Sequence, residues 1–137
     1  MSNVRVDLES IEVDKGQGVG EGDFELRVQV QEGGNQVVWP ALNSFAKVDK
    51  EGPPFTINRR IAVYPVSSGT LSKRFTIDVT EVDGGTLGKD DIGQSTVTFD
   101  LKPDMAPTTK TATIDLKRPS MAKVNGKVKV TLSAQRE

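Results

Sequence analysis

Two stretches of the chain gather carboxylates among glycines. The first, DKGQGVGEGD, runs from Asp14 to Asp23 with glycine at four alternate positions and an acid at each end. The second, EVDGGTLGKDDIG, runs from Glu81 to Gly93 and carries Asp83, Asp90 and Asp91. Carboxylates brought together repel one another, and a divalent cation relieves that repulsion. Calcium asks for six to eight oxygen ligands at about 2.3–2.6 Å, a set that carboxylates, carbonyls and water can supply. Asp14, Asp23, Glu81, Asp83, Asp90 and Asp91 are therefore the candidate metal ligands. The competing reading is that Asp, Gly and Lys are simply the residues of which turns are made, so that these acids are solvated loop charges.

The chain holds no histidine and no cysteine. Thiolate and imidazole metal sites are thereby excluded, which leaves hard, oxygen-seeking cations such as calcium or magnesium. The same two absences remove the commonest general base and the thiol nucleophile. Asp90 and Asp91 are adjacent in a loop, where paired acids are more often charge than chemistry, and the expectation is a protein that is not an enzyme.

A second group, Lys47, Lys50, Arg59 and Arg60, gathers positive charge. Clustered cations can receive anionic lipid headgroups at a membrane surface; the alternative is an ordinary solvated strand face. Overall, 18 basic residues stand against 19 acidic ones, a net charge of −1. General nucleic-acid binding needs clustered excess cation and is not expected.

Behind these residues lies period-two alternation, with no long helical periodicity. Val4, Val6 and Leu8 share a face, and Ile11 and Val13 continue after a slip near Ser10 that a β-bulge would explain. Phe24, Leu26, Val28 and Val30 alternate with Glu25, Arg27 and Gln29. Residues 36–39 form a short strand, and 55–66 a long one bent at Arg59–Arg60. Phe75, Ile77 and Val79 lead to Glu81, and Val97, Phe99 and Leu101 to the next turn. The runs at 111–116 and 126–132 complete about eight strands, separated by Gly- and Pro-marked turns. Residues 40–49 are read as irregular chain with room for one helical turn. Trp39 is read as a core or edge anchor. This pattern predicts one domain, all-β, an antiparallel β-sandwich.

The run FTIDVTEVDGGTLGKDDIG resembles the third loop region of C2 domains, where a strand leads into D-x-D and, after several residues, D-x-I/L-G. Asp83 matches the second Asp of the pair, Asp90 the later one, and Ile92-Gly93 the closing apolar-Gly step; Glu81 stands where the first Asp would be. GDFELRV resembles the strand after the first C2 loop, with Asp23 in place, and Asp14 falls in that loop at a longer spacing. GPPFTINRRIAV is loosely similar to the stretch before the fourth strand. The resemblance spans about residues 4–101 and is to divergent bacterial C2-like modules. It implies a C2-like sandwich that binds calcium through its end loops and engages a protein partner or an anionic membrane surface. The alternative expectation is a metal-free structural subunit or adaptor of a bacterial or phage assembly, pairing through its strand edges or self-assembling. The opening MSNVRVDLES shows no secretory signal, and the expected location is cytoplasmic.

Overall fold

A computed structural model of the chain describes residues 2–14, 23–49, 52–82, 90–119 and 124–137. Nine strands follow in order: β1 (Ser2–Val13), β2 (Asp23–Glu32), β3 (Asn35–Trp39), β4 (Ala46–Asp49), β5 (Phe55–Val66), β6 (Leu71–Glu81), β7 (Asp91–Leu101), β8 (Thr108–Lys117) and β9 (Val124–Arg136). All their pairings are antiparallel.

The hydrogen-bonded path is β3-β2-β6-β7-β8-β9-β1-β5, with β4 also on β2. Its weak link is β7–β8, which shares the single register pair Ile92↔Lys117. The path thus folds over at that point into two layers. One contains β3, β4, β2, β6 and β7, the other β8, β9, β1 and β5: the antiparallel β-sandwich that alternation leads one to expect. On the far side the layers meet again where the Trp39 and Phe55 rings pack 5.3 Å apart. There the Arg59 guanidinium donates to the carbonyls of Val38 and Pro40 at 3.1 and 3.0 Å.

The inward positions are those of the alternating pattern. Phe24, Phe75 and Phe99 are fully buried with Leu8, Ile77, Ile114 and Leu132. Tyr64, Phe75 and Phe99 stack edge to face, with centroids 6.4 and 6.0 Å apart. Each such side chain withdrawn from water contributes about 1.5–3 kcal/mol, and edge-to-face contact adds to this.

Two local readings are refined. The slip near Ser10 is a register shift between Leu8 and Ser10, present in the pairing of β1 with both β5 and β9. The bend at Arg59–Arg60 is also real. Asn58 has a φ of 50°, and Ile61 is passed over where Val6 pairs with Ala62 and Asp7 with Arg60. The segment 40–49 corrects the expectation of a helical turn: Ala46–Asp49 is β4, paired with Asp23–Leu26. Within it Val48 is buried and Ala46, on the same face, packs partly buried against the core; two apolar positions in a four-residue run are too few to announce a strand. β3 and β4 share one edge of β2, β3 taking Val28–Glu32 and β4 taking Asp23–Leu26. The peptide bond at Trp39–Pro40, where the chain crosses between them, is cis.

Candidate functional site

The strand register decides which loops share an end. Asp14 leaves β1 with its N–H bonded to the Lys127 carbonyl at 2.8 Å, at the start of β9. Asp23 opens β2 opposite Asp49, the end of β4. The Val82 N–H, just past β6, donates to the Glu25 carbonyl at 2.8 Å. Glu81 faces Asp91 across β6–β7, and Ile92 next to it meets Lys117 at the end of β8. The ends of β1, β4, β6 and β8 and the starts of β2, β5, β7 and β9 therefore lie at one pole. Both acidic stretches leave and re-enter the sandwich there. The opposite pole holds the Gly33–Gly34 hairpin turn, the connections 67–70 and 102–107, and Asn3, whose carbonyl accepts from the Glu137 N–H at 2.8 Å.

Among the six candidate ligands, Asp14 is half-buried, Asp90 exposed and Asp91 buried. Glu81 is half-buried on the same inward face as Phe75, Ile77 and Val79. Asp23 is placed by its backbone, and its side chain lies outside the description. Asp83 lies outside the described residues altogether. Among the described residues no three carboxylates stand together as a metal-holding group. What the fold brings together is Glu81 with Asp91 as register partners, and the backbone of Asp23 with that of Asp49. Asp49 is missing from the sequence candidates because no local pattern marks its strand.

The closing Ile92-Gly93 step has a structural cause. Ile92 points outward, 49% exposed. Gly93 points inward, where an added Cβ would stand 2.2 Å from the Asp115 carbonyl oxygen and 2.6 Å from Ile114 Cγ2. Gly93 thus permits β7 to touch β8 beside the one register pair that joins the two layers.

Of the basic group, Lys47 lies on β4 and Arg59 and Arg60 lie next to each other on β5. Lys47 is exposed on β4 opposite Glu25, and Lys50 lies outside the described residues. Arg59 is committed to the β3 carbonyls, and Arg60 pairs with the Glu137 carboxylate at 3.1 Å. On the outer face of β1 and β5, Arg5, Asp7, Glu9, Asn58 and Arg60 line a polar groove of about 470 Å³. Its charges are largely met from within: Arg5 bonds Asp7 at 2.9 Å, and Glu9 accepts from the Ser133 hydroxyl at 2.6 Å.

At the other pole, a polar cluster missed by sequence reasoning links the two layers. The Tyr64 hydroxyl of β5 donates to the Glu32 carboxylate of β2, and Lys73 Nζ lies 3.8 Å from that carboxylate and 5.2 Å from the Tyr64 ring centroid. Burial first, then the hydrogen bond to Glu32 and its negative charge, push the Tyr64 phenol well above its ordinary range, while a hydrogen bond with Asn35 opposes them. Tyr64 and Glu32 are 32 residues apart and belong to different strands, a pairing that no local pattern signals.

No family model matches the chain, and no curated protein matches it. Among solved structures, the chain is similar to a C2 domain of plant extended synaptotagmin 1, with 15% identity, a TM-score of 0.40, and coverage of 99% of this chain and 95% of that one.

Proposed function

We propose that this domain is a non-catalytic binding module whose acidic pole takes up calcium and, once loaded, engages a partner, a protein or an anionic membrane surface. The observation that carries the reading is the shared pole. Asp14, Asp23, Glu81, Asp90 and Asp91 bracket two chain segments that are distant in sequence, and the register pairs Asp23↔Asp49 and Glu81↔Asp91 stand at the same end. Carboxylates and backbone carbonyls offer only oxygen as a ligand, which suits calcium. The resemblance of the Glu81–Gly93 run to the third C2 loop region supports the same reading. A divalent ion would also reduce the negative charge of the acidic pole, which lowers the repulsion an anionic partner would meet there.

A ligand that binds the native state alone stabilises it by mass action. Thermal melting and titration calorimetry in calcium, in magnesium and in chelator test the proposal. Calcium is expected to raise the melting temperature more than magnesium, and chelator to cancel the rise. A melting curve unmoved by millimolar calcium would sink it.

A further inference from the structure

We propose that Arg118 is the resident cation of the acidic pole: its guanidinium balances the inward carboxylates of Asp91 and Glu81, and calcium binds there in competition with it. The competition rests on the calcium reading above; the resident cation does not.

Strand alternation and register place the three side chains. Along β8, Ala112, Ile114 and Leu116 point into the core while Thr113, Asp115 and Lys117 are exposed. Arg118 continues the inward series just past the end of the strand. It is half-buried, and its Nε is shut off from solvent. β7 alternates in the same way, with Asp91, Val97, Phe99 and Leu101 inward. Ile92 pairs with Lys117, and one step outward from that antiparallel pair sets Asp91 beside Arg118. Asp91 is in turn the register partner of Glu81. Two acids and one guanidinium thus end on the inner side of the sandwich at one pole.

Charge decides what they do. Like charges directly opposite each other across a ladder are destabilising, and Asp91 is only 5% exposed, so water screens it poorly. A guanidinium with its Nε buried needs an opposite charge for the same reason. Its planar fork of donors suits carboxylates. The cations nearest to it are engaged elsewhere: Lys117 faces outward, and Lys127 Nζ lies 3.7 Å from the Asp115 carboxylate. Among the described residues no three carboxylates stand together; the inner pole assembles an acid pair with its own counter-charge. A divalent ion drawn to Asp91 and Glu81 meets that charge first and has to displace it.

Thermal melts in chelator test the resident cation, using the parent chain, Arg118→Met, Asp91→Asn and the double variant as a cycle. The double variant is expected to lose clearly less in melting temperature than the two single losses summed. Additive losses overturn the proposal, whatever calcium does. Calcium titration calorimetry then reads the competition. Arg118→Met keeps the stem without the charge and is expected to bind calcium about tenfold more tightly than the parent. Arg118→Lys keeps the charge and is expected to stay near the parent. Equal calcium affinity in the parent and Arg118→Met overturns the competition and leaves the calcium reading intact. If neither chain takes up calcium, the calcium reading falls and the competition with it, while a coupled cycle still establishes Arg118 as the counter-charge. Arg118→Gln replaces the methionine variant should that one fail to melt cooperatively.

Discussion

Gly93 lies against the Asp115 backbone so closely that a methyl group on it would stand 2.2 Å from the Asp115 carbonyl oxygen. Neither the carbonyl nor the buried Ile114 side chain beside it is free to swing away. Gly93→Ala is therefore expected to push β7 off β8 at the one place where the two layers share a register pair. Overpacking of this kind costs about 1–3 kcal/mol, and urea unfolding compared with the parent chain would measure it. An unchanged midpoint would mean that the strands yield without loss.

Tyr64→Phe keeps the ring on Phe75 and removes the hydroxyl from Glu32. The loss expected is about 1–2 kcal/mol, the cost of leaving a half-buried carboxylate with one partner fewer. The same cluster gives the fold an alkaline limit. Folding raises the Tyr64 pKa, so the neutral phenol stabilises the native state fully below the ordinary tyrosine value of about 10, and that contribution falls away as pH rises beyond it. Chemical denaturation at pH 8 and pH 11 should show a smaller pH-dependent loss in Tyr64→Phe than in the parent.

Much of this architecture can be read from side-chain alternation, because a strand buried on one face writes its orientation into every second residue. Phe24, Leu26, Val28 and Val30 all occupy the core as their spacing implies, and the phase slip at Ser10 marks a true register shift. β4 escapes because four residues with apolar side chains only at Ala46 and Val48 are too short a run to announce a strand. The Tyr64–Glu32 link escapes for another reason: it joins strands far apart in the chain, and a local pattern carries no record of its partner. The candidate ligands lie between these cases. Their residue types and loop positions are legible, and their common pole emerges only from the order in which strands pair.

Gly126→Ala tests the packing behind that pole. Its Cβ would stand 2.6 and 3.0 Å from Phe24 ring carbons, and Phe24 is itself fully buried. A destabilisation of about 1–3 kcal/mol is expected, read as a lowered urea midpoint.

The calcium response should divide the charged residues into two sets. Asp83→Asn and Asp90→Asn are expected to reduce the calcium-induced rise in melting temperature. Arg60→Gln, which removes the link to Glu137, should leave that rise as it is in the parent. A rise equally reduced by all three substitutions would point to loosely held counter-ions in place of a defined site.

The bond from Glu137 to the Asn3 carbonyl sets the two ends of the described chain side by side, at the pole away from the acidic loops. A short linker could join them, with new termini cut at the Gly33–Gly34 turn of the same pole, and no strand would have to change neighbours. Such a rearranged polypeptide offers a way to anchor the domain to a sensor surface or a fluorescent fusion while its carboxylate-bearing end remains open to solution.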